Sequence, residues 1–212
     1  MGLIGPSGAG KTTIVDLLLR LYQSQKGIIE LDGGDISDIK MKEWRTNIGY
    51  VPQDAFMIND TIENNIRFYG DSVTNEDIME AVKMANIYEF IESQPEKFQA
   101  MVGERGTLLS GGQRQRIVLA RVLARKPKIL ILDEATSSLD NESEFLIQKA
   151  IEGLRGKISI LMIAHRLSTV MIADNLIILE NGKIIESGSP KNLLQDENSY
   201  FYKNYNLMEI KS

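Results

Sequence analysis

The segment Gly5-Pro6-Ser7-Gly8-Ala9-Gly10-Lys11-Thr12 constrains the fold of this chain more than any other feature of its sequence. A short apolar run precedes it and a helical pattern follows it, which is the context in which GxxxxGK[ST] binds nucleotide phosphates. The glycines let successive backbone N–H groups turn toward a β-phosphate, Lys11 can reach the β- and γ-phosphate oxygens, and Thr12 is left to bind Mg²⁺. The alternative is a glycine-rich turn with a surface lysine. The predicted nucleotide contacts of this segment are Gly5, Pro6, Ser7, Gly8, Ala9, Gly10, Lys11, Thr12 and Thr13.

Two adjacent carboxylates follow an apolar segment in the second half of the chain. Ile129–Leu132 is suited to a buried parallel strand, and Asp133 and Glu134 come directly after it. Ligands of parallel sheets bind beyond the carboxyl ends of the strands, so Asp133 can meet the Mg²⁺ held by Thr12 while Glu134 faces a water in line with the γ-phosphate. A solvated acidic strand end is the alternative, and the complete phosphate-loop motif weakens it.

Two further polar residues follow predicted strands. Gln53 comes after the run Ile48–Val51 and Pro52, and His165 comes after Ile158–Ile163. Both side chains could reach the same γ-phosphate. A lone glutamine or histidine is as often a structural hydrogen-bonding residue, so the residues by themselves leave both interpretations open.

Strand-like runs at both ends of the chain frame a middle that has helical spacing. The first helix is predicted to bury one face, formed by Ile14, Leu17, Leu18 and Leu21. Further strand-like runs are Ile28–Leu31, Ile48–Val51, Ile129–Leu132, Ile158–Ile163, Leu176–Leu179 and Lys183–Glu186, the last two joined by the turn Asn181-Gly182. We therefore expect an α/β fold of the P-loop NTPase class, with a sheet core at 1–59 and 127–190, an inserted helical subdomain at 60–126 and a helical tail at 191–212 that starts after Ser189-Pro190.

Composition narrows the class of site. The chain has no cysteine, which removes disulfides, thiolate metal sites and cysteine nucleophiles together. Its 24 basic and 29 acidic residues leave a formal charge of −5, which is a poor match to nucleic acid. The sequence contains no run of about 20 apolar residues that could cross a membrane.

The stretch Leu109-Ser110-Gly111-Gly112-Gln113 resembles the signature motif of ABC-type ATPases. The order of motifs agrees with this family: a Walker A at Gly5–Thr12, a Q-loop glutamine, the signature, a Walker B with its glutamate, a D-loop that ends at Asp140 and a switch histidine. The resemblance covers residues 1–190 or so and implies the ABC-ATPase fold with a mostly parallel RecA-like sheet. It also implies ATP and Mg²⁺ as ligands. Beyond the phosphate loop, the implied nucleotide contacts are Gln53, Ser110, Gly111, Gly112, Gln113 and Asp140, the implied metal ligands are Thr12, Gln53 and Asp133, and the implied catalytic residues are Glu134, His165 and Lys11.

A helix that starts at the signature would offer a second anion site at its N-terminus, which the chain's own phosphate loop leaves unused. Two chains that face each other head to tail would close both sites. In the family, ATP is held in this way between Walker A of one domain and the signature of its partner. The resemblance therefore implies a second nucleotide-binding domain, identical or different, as a partner.

Smaller segments are similar to the exporter branch of the family. Met101–Gly106 resembles the VGExG segment of exporters, Ile163–Thr169 resembles their AHRLS form, and Asp60–Ile66 resembles their TIxxNI stretch. The resemblance implies a membrane domain as a second partner and a location at the cytoplasmic face of the membrane. The membrane domain and the A-loop strands that usually precede Walker A are absent, so we expect a fragment or a reading frame begun too late; the cargo stays open.

Two other functions compete with this hypothesis. A soluble ABC-class ATPase that acts on DNA or ribosomes would share the motifs, but such relatives carry long coiled-coil arms or two ATPase domains. The arginines after the signature, Arg114, Arg116, Arg121 and Arg125, are expected to form a solvated and packing face instead of a nucleic-acid surface. A small-molecule P-loop kinase would have no use for the signature.

Overall fold

The computed structural model describes residues 1–70, 72–136, 139–164 and 166–209. Its strands are β1 (Gly2–Ile4), β2 (Glu30–Leu31), β3 (Gly34–Asp35), β4 (Ile48–Val51), β5 (Ile129–Asp133), β6 (Ser159–Ile163), β7 (Leu176–Glu180) and β8 (Lys183–Gly188). Its α-helices are α1 (Lys11–Leu18), α2 (Met41–Asn47), α3 (Ile62–Arg67), α4 (Asn75–Met84), α5 (Tyr88–Ser93), α6 (Gly111–Leu123), α7 (Asn141–Leu154), α8 (Leu167–Met171), α9 (Pro190–Gln195) and α10 (Tyr200–Glu209).

The chain forms two compact units, and the first consists of Met1–Arg45 together with Leu161–Ser212. In this unit β1 lies between β6 and β7 and is parallel to both, with Leu3 opposite Ile163 and Ile177. β8 pairs antiparallel with β7, as expected for a hairpin that turns at Asn181-Gly182. The predicted strands of this unit are thereby confirmed, and they carry the phosphate-loop segment at the end of β1.

The second unit, Thr46–Ile160, combines a parallel strand pair with a set of helices. β4 and β5 run in register from Ile48 opposite Ile129 to Val51 opposite Leu132. α6 packs against β4, α3, α4 and α7, and its apolar positions belong to the core. The helical spacing expected in this part of the chain is confirmed by α3 to α6. Of its periodic apolar side chains Phe90 is half-buried, and the buried ones are Ile78, Ala81, Val82, Ala85, Ile87 and Ile91.

The predicted apolar face of the first helix is wrong. α1 ends at Leu18, one turn before Leu21, whose side chain is 59% exposed. The buried side chains of α1 are those of Lys11 and Val15, whereas Ile14 and Leu17 are half-buried. The helix therefore turns its buried face toward the phosphate loop, because Lys11 has to reach back over that loop.

The tail forms two helices in place of one continuous helix. Ser189 caps α9 through a hydrogen bond from Asn192 N–H, and Pro190 is the first helical residue, as predicted. α10 starts after a break at Asp196–Ser199, and the side chain of its Phe201 is buried. No helix among the described residues is long and apolar enough to cross a membrane.

Candidate functional site

The phosphate loop connects β1 to α1 and lies tightly against the sheet of the first unit. A Cβ added at Gly5 would lie 2.2 Å from the carbonyl oxygen of Leu179, so no other residue fits this position. Gly182 N–H donates to the carbonyl of Ala9 at 3.0 Å, which fixes the far side of the loop. Gly10 caps α1 with a φ of 105°, a left-handed conformation that glycine adopts without strain. The loop is thus held in one shape before any ligand binds.

This shape leaves a group of hydrogen-bond donors without acceptors. In the described part of the chain, the backbone N–H groups of Gly8, Gly10, Lys11, Thr12 and Thr13 have no protein partner. They lie at the N-terminus of α1, where the helix dipole adds positive potential. Consecutive unpaired N–H groups at such a place form an anion-binding nest, so the backbone fits a phosphate group.

The side chain of Lys11 supplies the charge of this nest. It is only 7% exposed, and its Nζ donates to the carbonyl oxygens of Gly5 at 2.8 Å and Pro6 at 3.0 Å. The ammonium group therefore lies over the loop, within the site that the backbone donors form. The Thr12 and Ser7 side chains are exposed, which leaves the hydroxyl of Thr12 accessible to a metal ion.

The acid pair belongs to the second unit, at the carboxyl edge of the β4–β5 pair. Val51 lies opposite Leu132, so Gln53 and Glu134 both stand two residues beyond the same rung of the ladder. Asp133, the last residue of β5, accepts a hydrogen bond from the Tyr50 hydroxyl at 3.0 Å on Oδ2. This edge brings together the two strand-end groups that the sequence predicts on β4 and β5.

The backbone of Glu134 is strained. Its φ of 50° lies in the left-handed region, which is unfavourable for a non-glycine residue by about 1–2 kcal/mol. Nine other non-glycine residues of the described part of the chain also have a positive φ, so the conformation by itself does not mark Glu134 as functional. The conformation turns the chain sharply after β5, immediately beyond Asp133.

The predicted signature forms the start of α6. Ser110 and Gln113 cap the helix reciprocally: Ser110 Oγ accepts from Gln113 N–H at 3.2 Å, and Gln113 Oε1 accepts from Ser110 N–H at 2.8 Å. The N–H groups of Gly111 and Gly112 have no partner in the described residues. The second predicted anion site therefore has free donors at a helix N-terminus, as the sequence indicates.

The predicted site residue Asp140 lies at the start of α7. Asp140 caps α7 by accepting a hydrogen bond from Ser143 N–H at 2.9 Å, and this bond holds the pKa of Asp140 below its usual value. Its carboxylate thus has a structural role within its own unit. His165 and the D-loop residues Ser137 and Ser138 lie outside the described residues.

Two contacts of the candidate site have no local signal in the sequence. The Tyr50 hydroxyl donates to Asp133, and Gln115 donates to the carbonyl of Pro52 at 3.0 Å. Both contacts depend on which elements are spatial neighbours, and periodicity does not supply that information. The position of Tyr50 two residues before Pro52 is the only sequence clue to its contact.

The arginines after the signature form a packing face. Arg114 donates to Leu109 O, Arg116 to Asn86 O, Arg121 to Phe56 O and Arg125 to Phe68 O. Burial lowers the pKa of Arg121 to about 10. These bonds to backbone carbonyls agree with the packing role expected of the four arginines.

The metal-binding groups of the site are few. The described residues contain no cluster of three or more histidine or acidic side chains that could hold a metal ion by themselves. The carboxylate of Asp133 and the exposed hydroxyl of Thr12 are hard oxygen donors, and Mg²⁺ is typically bound by one or two such groups together with water and substrate phosphates. Thr12 belongs to the first unit and Asp133 to the second, and each by itself is a group of the kind that binds Mg²⁺.

The chain is similar to known proteins of a single family. Residues 1–137 match the family model described as ABC transporter. The ATP-dependent lipid A-core flippase of Idiomarina loihiensis is 49% identical over 203 residues, which are 95% of this chain and 35% of the relative. Heavy metal tolerance factor 1 of Caenorhabditis elegans is 46% identical over 200 residues, which are 94% of this chain and 25% of the relative.

A solved structure agrees with these relatives. The structure titled as a bacterial Atm1-family ABC exporter with ATP bound superposes with a TM-score of 0.89 at 38% sequence identity. The match covers 98% of this chain and 36% of the other. The chain spans about a third or less of the length of these relatives.

Proposed function

This chain belongs to the ABC transporter family as an exporter-type ATPase domain, and we propose that it binds and hydrolyses ATP to drive the export of a substrate across a membrane. The fold is the ABC-ATPase fold, with a mostly parallel sheet and helices. The cargo is set by membrane segments outside this chain, so the proposal is limited to the motor.

The observation that carries the proposal is the nest of unpaired donors at the start of α1. The unpaired N–H groups of Gly8 and of Gly10 to Thr13, together with the buried ammonium of Lys11, give this site several donors and a positive charge. Such a site selects a multiply charged anion. A triphosphate satisfies more of these donors than a single phosphate does, which supports ATP as the ligand.

The other predicted site residues have separate roles in ATP hydrolysis. Thr12, Asp133 and Gln53 would hold Mg²⁺, which when bound would neutralise negative charge on the phosphates. Glu134 accepts the proton of a water in line with the γ-phosphate, and His165 donates to the γ-phosphate. Lys11 stabilises the negative charge that develops on the phosphate oxygens. The nucleotide is further contacted by Pro6, Ser7, Ala9, Gln113 and Asp140.

The free donors at the start of α6 support a second copy of the domain as partner. Ser110, Gly111 and Gly112 would complete the ATP site of the partner's phosphate loop in a head-to-tail dimer. The chain matches about a quarter to a third of relatives named as a flippase or an ABC exporter, which supports a membrane domain as the second partner and a place for this domain at the cytoplasmic face of the membrane. The arginine contacts of α6 give no support to the alternative of a soluble ATPase on DNA or ribosomes.

The variant Glu134→Gln tests the proposal. The amide keeps the shape of the side chain but cannot accept a proton, so we expect hydrolysis to fall by about 10²–10⁴-fold. Binding of ATP, measured by calorimetry, should stay close to that of the unchanged protein. Glu152→Gln, an exposed change on α7, is the matched control and should hydrolyse ATP normally. Hydrolysis by Glu134→Gln within about threefold of the control would overturn the assignment of Glu134.

A further inference from the structure

The side chain of Gln115 connects the signature helix to the Q-loop. Gln115 lies in the second turn of α6, it is 4% exposed, and its Nε2 donates to the carbonyl oxygen of Pro52 at 3.0 Å. Pro52 follows the last residue of β4 and directly precedes Gln53. A buried amide with one backbone partner fixes that backbone, because breaking the bond would leave both groups unsatisfied.

A second side chain of the same helix holds the other end of this loop. Arg121 donates to the carbonyl of Phe56 at 2.8 Å and to the carbonyl of Asn65 at 2.7 Å. Asn65 in turn accepts from Ile58 N–H at 3.0 Å, so the chain after the loop is fixed as well. The segment from Pro52 to Phe56, which contains Gln53, is therefore fastened to α6 at both ends.

The strand that leads into the loop is also in close contact with α6. A Cβ added at Gly49 would lie 2.4 Å from Cγ1 of Val122. β4 and α6 therefore lie so close together here that only glycine fits between them. Closely packed elements of this kind shift together and not independently. A displacement of α6 is thus transmitted to the backbone on either side of Gln53.

From these contacts we propose that Gln115 is a positioning residue that acts through Gln53. The inference rests on the proposed function, in which Gln53 serves the chain's own ATP site and the start of α6 serves the site of the partner. The Gln115–Pro52 hydrogen bond then joins the two sites: engagement of the signature by the partner's nucleotide moves α6, and α6 carries the Q-loop with it. Gln115 itself contacts no nucleotide.

A double-mutant cycle on ATP hydrolysis tests this role. Gln115→Met keeps the length and packing of the side chain but removes the donor, and we expect kcat to fall roughly tenfold, which is the size of one hydrogen bond lost to a buried acceptor. The affinity of the single chain for ATP should not change, because the phosphate loop is untouched. In a Gln53→Ala background, Gln115→Met should have no further effect on kcat.

Gln148→Met provides the matched control. Gln148 donates to Glu144 Oε1 at 2.8 Å on the neighbouring α7, so the same chemical change is made without contact to the Q-loop. It should leave kcat unchanged. Additive effects of Gln53→Ala and Gln115→Met, or an unchanged kcat for Gln115→Met alone, would overturn the positioning role. Normal ATP hydrolysis by Glu134→Gln would instead overturn the proposed function. The two failures are therefore seen in different variants and can be told apart.

Discussion

At the scale of single residues, the carboxylate of Asp133 is held by a neighbouring side chain. Its Oδ2 accepts from the Tyr50 hydroxyl, which lies on the neighbouring strand β4. A hydroxyl that donates to a carboxylate limits its rotation, and groups that orient a metal ligand typically change metal affinity by about 10- to 100-fold when they are removed. If Asp133 binds Mg²⁺ as proposed, Tyr50 would orient its carboxylate for the metal ion.

Tyr50→Phe should raise the Mg²⁺ concentration that gives half-maximal binding of ATP, by about tenfold on the same principle. ATP binding without Mg²⁺ should not change. Both quantities can be measured by calorimetry at a series of Mg²⁺ concentrations, with Tyr88→Phe on α5 as the control. If Asp133→Asn shifts the Mg²⁺ dependence and Tyr50→Phe does not, the orienting role of Tyr50 is wrong.

At the scale of elements, the crossing of α6 and α7 depends on one glycine. A Cβ added at Gly112 would lie 2.0 Å from Oγ of Ser143, which stands in the first turn of α7. At Gly111 the nearest atom to an added Cβ is 3.5 Å away, an ordinary contact. Adjacent glycines of the signature thus have different roles: Gly112 allows the close packing of two helices, whereas Gly111 has space for a side chain.

Gly112→Ala should lower the free energy of unfolding by about 1–3 kcal/mol, the typical effect of overpacking a tight contact. Gly111→Ala should change stability by less, because the methyl group fits and alanine favours the helix. Chemical denaturation of both variants measures the difference. Equal stabilities would contradict the helix contact described for Gly112.

The elements also show how far the sequence predicts this molecule. Strands β4–β8 and the cap Ser189 with Pro190 were predictable, since turn residues and apolar runs mark them locally. The phosphate loop and the acids of β5 were predictable because their chemistry demands specific residues in order. The buried face of α1 was not predictable. Lys11 is buried because it bonds to the carbonyls of its own loop, whereas a periodicity argument assigns lysine to solvent. The partners of Tyr50 and Gln115 were not predictable either, because they depend on tertiary contacts.

At the scale of the whole molecule, unpaired backbone donors occur in the described residues at two helix N-termini that belong to different units. One group lies at the start of α1 in the first unit and the other at the start of α6 in the second. In the proposed function, one chain uses the first group for its own nucleotide and offers the second to another copy. ATP is therefore expected to join two chains.

Light scattering of the Glu134→Gln protein with saturating ATP and Mg²⁺ measures this pairing, because the variant is expected to bind ATP without consuming it. We expect a mass of twice the 23.8 kDa of one chain. The same protein without nucleotide should have the mass of one chain, and Lys11→Ala in the same background should prevent the increase. A protein that binds ATP and keeps the mass of a single chain at every protein concentration tested would show that ATP does not join two chains.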